Sequence, residues 1–329
     1  MTQPWRVGIL GCGGLGKTAA AVLEPREEMR LVAMCDTHGW AHRPEGIAAS
    51  EVEPLAPGDT LASLPIGRAS DDPIGEVIAL AAAGEIDGLF LALPNLPSDF
   101  IPSVIRRIAE SGFQGVSVDA LKRTVAVEAI LALDDVIREA GMIHMTGCGA
   151  TPGLLTAAAA LAAQSFQTIE DVQIEFGVGI ANWEAYRATV REDIAHQRGM
   201  DFERARAMTD EEVERFLDER EGILELHEME HADDIMLEQA GVVTRERVKV
   251  GGIVDTRHAR KPVSTNVRVT GVTFEGRRST HTFTLGDETS MAANVNGPAF
   301  GYMKTGLWLR GRGITGVFTS ADVMPRFVR

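Results

Sequence analysis

Lysine is scarce in this chain: among its 32 basic residues, the lysines are Lys17, Lys122, Lys249, Lys261 and Lys304. Positive charge as a whole is in deficit, because 47 acidic residues bring the net charge to −15. That argues against sequence-independent binding to nucleic acid or to an anionic membrane, both of which need a basic face. It leaves room for a small anionic ligand held by a few local arginines. Cysteine is nearly absent. Cys12, Cys35 and Cys148 are odd in number and form no C-x-x-C pair, which excludes a disulfide framework and fits a reducing, cytoplasmic setting. Long apolar runs are missing too. Spanning a bilayer takes roughly 20 apolar residues, whereas the most apolar stretch, 154–163, is a short alanine-rich run behind a Pro-Gly turn and reads as a buried helix. No signal-peptide layout precedes the first strand, so a cytoplasmic location is expected. Internal repeats and low-complexity tracts are also lacking.

What is present is a rhythm. With 329 residues the chain has room for two domains, each with its own core. Over 1–150, β-rich runs at 5–10, 31–35, 88–93, 115–118 and 142–146 alternate with helical patterns at 15–23, 74–83, 98–110 and 124–139. Such alternation predicts βαβ units and a doubly wound parallel sheet. Residues 38–72 break the rhythm and read as a long connection with weak structure. From 151 to 329 the pattern changes: strands at 172–178, 248–255, 263–273 and 279–285, some joined by tight turns, and helices at 184–196 and 201–220. This predicts a second, α+β domain with a mixed or antiparallel sheet for substrate binding and oligomerisation. A helix from about 288, capped by Gly286–Ser290, is free to pack back on the first domain.

Gly11, Cys12, Gly13, Gly14, Leu15 and Gly16 spell G-x-G-x-x-G between the first strand and the first helix. The first glycine permits the tight turn, the second lets a pyrophosphate approach the backbone, and the third lets helix pack on strand. A Rossmann domain binding NAD or NADP is therefore expected. Asp36, at the end of the second strand, is placed to accept from a ribose 2′-hydroxyl, which favours NAD; the alternative is a turn-capping aspartate. His38 and Arg43 keep NADP open, and Leu93, Pro94 and Asn95 are expected to line the nicotinamide side.

Lys122 lies where the run Val116-Ser117-Val118-Asp119 stops and a helical pattern begins. Ligands of open α/β sheets bind past the carboxyl ends of strands, and an amine there can attack a carbonyl, which a guanidinium cannot. The plain alternative is a solvated lysine in a helix's first turn. The stretch from Thr146 to Leu154 packs small residues into another strand-to-helix turn, with Thr151 as N-cap and Pro152 at the first helical position. Gly147 and Cys148 there either meet the cofactor or only make a tight crossover. Arg187 and Arg191 are four apart, either a clamp for a substrate carboxylate or a salt-bridged surface helix paired through Glu184. His227-Glu228-Met229-Glu230-His231 matches H-E-x-x-H, but it has no companion third ligand, so no metal is expected. His231 with Asp233 and Asp234 reads instead as a proton-transfer or substrate-orienting group.

Taken in order, the glycine turn, Val118-Asp119-Ala120-Leu121-Lys122-Arg123-Thr124, 146–154, 182–193 and 230–234 resemble the saccharopine-dehydrogenase-like oxidoreductases. More narrowly, the chain resembles the carboxylating 8-amino-7-oxononanoate dehydrogenases of biotin synthesis, known as suicide enzymes. The resemblance implies that Lys122 condenses with the C7 ketone of 8-amino-7-oxononanoate, that NAD(P)H reduces the imine, that CO₂ or bicarbonate carbamylates the neighbouring amine, and that oxidation at the lysine's own Cε leaves allysine and releases 7,8-diaminononanoate. It further implies substrate contacts at Asn182, Thr151, Arg187 and Arg191, proton handling by Tyr186, Asp193 and His231, and a homo-oligomer. Two readings stand beside it: a conventional saccharopine-type amine dehydrogenase, with Lys122 as an ordinary acid/base, and a non-enzymatic NAD(P)-sensing protein.

Overall fold

Trp5–Leu10 forms strand β1 in the middle of a parallel sheet, and its apolar run follows from that place, since both of its faces are covered. The structure, a computed structural model, describes residues 3–56, 58–95, 97–180, 183–187, 190–286 and 291–329. After β1 come α1 (Gly14–Leu23), β2 (Met29–Cys35), β3 (Gly39–His42), α2 (Ala49–Val52), β4 (Gly67–Ala69), α3 (Pro73–Ala82), β5 (Gly88–Leu91), α4 (Phe100–Glu110), β6 (Val116–Asp119), α5 (Thr124–Leu131), α6 (Asp134–Glu139), β7 (Ile143–Thr146) and α7 (Leu154–Ala163). Then follow β8 (Phe166–Gly179), α8 (Trp183–Tyr186), α9 (Val190–Ala195), α10 (Phe202–Ala207), α11 (Asp210–Asp218), β9 (Ile223–Leu226), α12 (Asp233–Gln239), β10 (Val248–Asp255), β11 (Asn266–Thr273), β12 (Arg278–Thr284), α13 (Met291–Arg310) and β13 (Gly316–Thr319).

Two compact units result: Met1–Ala157 with Met291–Arg329, and Ala158–Ser290. The first is the expected doubly wound α/β layer. Its sheet runs β13-β7-β6-β5-β1-β2-β3-β4, parallel from β13 to β2. Val7 and Ile9 point into a core with Leu23 of α1, Val52 of α2, and Phe300 and Met303 of α13. A Cβ on Gly8, directed to the other face, would lie 2.9 Å from Leu89 and 3.4 Å from Val77 of α3. Helix α13 joins this unit intimately: a Cβ on Gly306 would be 2.6 Å from Val116, and Phe300 stacks edge-on against Phe90 at 5.5 Å.

The second unit holds a mixed sheet, β12-β11-β8-β10-β9, in which β8 and β10 are parallel and the other pairs antiparallel. Val190, Ile194, Ala205, Val213 and Leu217 pack there with Leu224, Leu226 and Val254 in a core of their own.

Residues 38–72 correct the expectation of weak structure. They build β3, α2, a 3₁₀ turn at Leu61–Ser63 and β4, extending the sheet with antiparallel pairs. Each piece is too short to show periodicity; buried Trp40 and the close-packed Gly39 and Gly67 hold the segment in place. The long helical patterns at 124–139, 184–196 and 201–220 each divide into shorter helices. Among the described residues, no helix is long and apolar enough to cross a membrane.

Candidate functional site at the carboxyl edge of the parallel sheet

Parallel strands end on one edge, and there the first unit gathers Gly11–Gly16 after β1, Ala92–Asn95 after β5, Ala120–Arg123 after β6 and Gly147–Gly153 after β7. Strand order reverses between β1 and β5, the switch point where such sheets bind ligands. Gly11 has φ +111°, and a Cβ on it would collide with the Ala92 carbonyl; one on Gly16 would collide with the Gly11 carbonyl. Gly13 and Gly14 differ, for a Cβ on either would meet no atom within 4 Å. Two glycines are thus required by the protein's own packing, and two leave an open approach to the backbone. Beside Leu15, α1 begins at Gly14 with no acidic residue in its first turn and no side-chain cap, so its amides and dipole remain available to an anion. Burial pushes the Cys12 thiol up to about 11, only partly offset by Lys17. It stays neutral at physiological pH and adds no negative charge beside the turn.

Asp36 caps the turn that follows β2, the alternative that stood beside the ribose reading. Its Oδ1 accepts from the His38 and Gly39 amides, both at 2.8 Å, and from the Thr60 hydroxyl at 3.0 Å; its Oδ2 accepts from the Leu61 amide. Three of these donors crowd Oδ1 and one goes to Oδ2, so the carboxylate is tied to its own loop and keeps an acceptor position on Oδ2. Arg43 is held by Glu51 at 2.8 and 2.9 Å rather than offered to a 2′-phosphate. The imidazole of His38 is exposed. Leu93 and Asn95 are half-buried and Pro94 exposed, just beyond the end of β5 at Leu91.

Lys122 is half-buried and stands before the helix, since the N-cap of α5 is Arg123. It is not a first-turn lysine. The residue that shapes its loop is Asp119, which sequence reading passed over and which is wholly buried at the end of β6. Its Oδ1 accepts from the amides of Leu121 (2.9 Å) and Gly147 (2.8 Å) and from the Thr146 hydroxyl (3.2 Å), while its Oδ2 meets His144 Nε2 at 2.9 Å. His144 Nδ1 in turn meets Ser117 Oγ at 2.8 Å, and both residues are fully buried. The Cys148 amide donates to the Asp119 carbonyl. The amides of Gly147 and Cys148 are therefore engaged in joining the β6 and β7 loops, as the tight-crossover alternative has it. Thr151 and Pro152 precede the helix, which starts at Leu154, instead of capping it; the peptide between them is cis.

In the second unit the side chains pair among themselves. Arg187 and Arg191 both bind Asp210, Arg191 at 2.7 Å, and Arg191 also donates to the Met208 carbonyl at 2.9 Å. These bonds, Arg191's first, hold the Asp210 carboxyl below its ordinary range. The clamp expected for a substrate is thus closed by the chain's own carboxylate. Tyr186 donates to Asp193 at 2.7 Å, and burial, reinforced by Asp193, pushes its phenol well up. His231 and Asp233, both buried, meet at 2.7 Å, while Asp234 accepts from the Ile235 amide. The 227–231 stretch is not helical, so its spacing does not put two imidazoles on one face; His227 is exposed and His231 buried. Asn182 and the cap at 287–290 lie outside the described residues.

No family model matches the chain. A protein named (S)-8-amino-7-oxononanoate synthase BioU, from Haloferax mediterranei, is 44% identical over 348 aligned positions, covering 97% of this chain and 98% of the relative. Among solved structures, C. glutamicum DAP dehydrogenase in complex with DAP superposes with a TM-score of 0.59 at 17% identity, covering 98% of this chain and 94% of that one. An engineered D-amino acid dehydrogenase bound to NADP⁺ gives 0.57 at 17% identity, covering 97% and 94%. Likeness at that identity shows the fold.

These findings correct the narrower resemblance. The relative is named as a synthase, with 8-amino-7-oxononanoate as what it makes, and not as a carboxylating dehydrogenase that consumes it. The expected single turnover to 7,8-diaminononanoate, with Lys122 as nitrogen donor, is overturned with it.

Proposed function

Because the chain belongs to the (S)-8-amino-7-oxononanoate synthase BioU family, we propose that it is an NAD(P)-dependent enzyme acting at the C7 carbon of the 8-amino-7-oxononanoate skeleton. One juxtaposition carries this reading: an open glycine turn at the switch point of a parallel sheet and, on the same edge, a lysine set by a buried carboxylate. The residues fit a dinucleotide. Gly13, Gly14 and the first amides of α1 would hold the pyrophosphate, with a neutral thiol beside them. Both NAD and NADP belong to the proposal, with Asp36 tied to its own loop at the end of β2.

When bound there, the nicotinamide supplies a hydride to that carbon or takes one from it. Lys122 deals with the proton. Its amine exchanges one with the oxygen or nitrogen carried on the same carbon, so charge does not build up as the carbon changes oxidation level. Arginine cannot do this, because it does not lose its proton. Asp119 fixes the Leu121 amide next to Lys122 and so sets where the amine starts from.

The test is spectrophotometric. Adding 8-amino-7-oxononanoate, the compound that the relative is named for making, to the protein with NAD⁺, NADP⁺, NADH or NADPH is expected to change the nicotinamide absorbance by running the reaction in reverse. An absorbance that ignores the amino-keto acid, with either cofactor and in either redox direction, overturns the reading.

A further inference from the structure

Strands β6 and β7 alternate apolar and polar side chains in step with each other: Val116 pairs with Ile143, Ser117 with His144 and Val118 with Met145. Val116, Val118, Ile143 and Met145 share a core with Phe300 and Met303 of α13. Alternation sends Ser117, Asp119, His144 and Thr146 to the opposite face, and all four are at 0% exposure. A parallel sheet covered on both faces is ordinarily apolar on both. Here one face holds a bonded polar chain. Ser117 Oγ meets His144 Nδ1 at 2.8 Å, His144 Nε2 meets Asp119 Oδ2 at 2.9 Å, and Asp119 Oδ1 accepts from the Leu121 and Gly147 amides. With Asp119 ionised, Nε2–H donates to the carboxylate and Nδ1 accepts from the Ser117 hydroxyl.

A buried chain of this kind is poor evidence for stability, because apolar side chains of similar volume often serve as well. What apolar side chains cannot do is hold an amide. The chain ends on two loop amides at the carboxyl edge, and one of them, that of Leu121, adjoins Lys122. Among the described residues, His144 is the donor on Oδ2, so the direction of the carboxylate depends on the ring, and the ring on Ser117. We infer that His144 and Ser117 are positioning residues for Lys122, holding its loop through Asp119 so that the amine meets the substrate at one fixed place. Neither reaches substrate or cofactor, since both are sealed inside the first unit. Being 27 positions apart and in no motif, they gain this role only through strand pairing. The inference deepens the reading of Lys122 as the amine of this edge and rests on it.

Two measurements on the intact protein test it. The first is the rate of nicotinamide absorbance change at saturating 8-amino-7-oxononanoate, with the Kd for NADPH beside it. The second needs no substrate: brief acetylation by acetic anhydride, read by peptide mass as the labelling of Lys122 against that of Lys249 and Lys261. His144→Leu is expected to slow the rate roughly ten- to hundredfold, the cost of a misplacement of about 1 Å, with the Kd within about twofold and Lys122 labelling changed at least threefold. His144→Gln, whose amide nitrogen can still donate to Asp119, is expected to recover most of the rate and of the labelling. Ser117→Ala takes away only the hydroxyl and is expected to slow the rate about three- to tenfold; it carries the test if His144→Leu does not fold. Thermal unfolding of each variant keeps folding defects apart. Unchanged rate or unchanged labelling in His144→Leu overturns the inference, and so does a loss that His144→Gln does not relieve. A wild type without any absorbance change overturns the reading of the edge, and the labelling of Lys122 then decides the positioning by itself.

Discussion

The two units treat their polar side chains in opposite ways. In the second, the candidate residues are closed on one another: Arg187 and Arg191 on Asp210, Tyr186 on Asp193, His231 on Asp233. In the first, the carboxylates are closed in the same manner, Asp36 on its loop and Asp119 on two loops, but the edge they shape keeps Gly13 and Gly14 open to what the chain itself does not supply. A charged pair at helical spacing is thus a poor guide to a ligand, because the chain readily provides its counterion. An open backbone is a better one.

The comparison can be broken at several points. The largest effect is expected at Lys122. Lys122→Gln should lower the rate of nicotinamide turnover about 10²–10⁴-fold, the usual worth of acid–base catalysis, in a steady-state assay. Next comes Asp119→Ala, which leaves His144 and the Leu121 and Gly147 amides without their buried acceptor; a loss of about 3–5 kcal/mol is expected from urea denaturation. The glycines sharpen the contrast within one turn. Gly16→Ala should destabilise the fold by about 1–3 kcal/mol through overpacking against the Gly11 carbonyl. Gly13→Ala should leave the unfolding midpoint nearly unchanged and appear only as weaker NADPH binding. Asp210→Asn is expected to leave the affinity for the amino-keto acid unchanged or weaker; a markedly lower Kd would mean that the freed arginines are a clamp after all.

The smallest effect concerns Glu28, which ties the C-terminus to the start of β2. Its bond from the Arg329 amide, with Lys304 next, lowers its carboxyl to about 2. A depressed carboxyl contributes stability that is fully present above its ordinary value near 4.5 and is lost as pH falls through about 2. Glu28→Gln should therefore lower the thermal midpoint at neutral pH and flatten its decline in acid.

Much of the first unit was legible because buried parallel strands are written as continuous apolar runs, and because a glycine turn is local, with strand, turn and helix adjacent in sequence. Trp5–Leu10 and Val248–Asp255 have the bounds expected from their residues. The segment 38–72 was not legible, since three- and four-residue elements carry no period and are held by Asp36 reaching Thr60 and Leu61. The Ser117–His144–Asp119 chain joins residues 25 and 27 positions apart, and nothing local announces it. The arginine pair was visible but its partner, Asp210, was not, for it lies on a different helix. Asn296 comes to the glycine turn from the far end of the chain.

The central claim is that one edge of one sheet holds the cofactor and the amine that serves it. The measurement that tests it most directly pairs two readings on Lys122→Gln: the Kd for NADPH and the change in nicotinamide absorbance on adding 8-amino-7-oxononanoate. An unchanged Kd with the absorbance change abolished is the predicted result. An absorbance change as fast as that of the wild type would contradict the account.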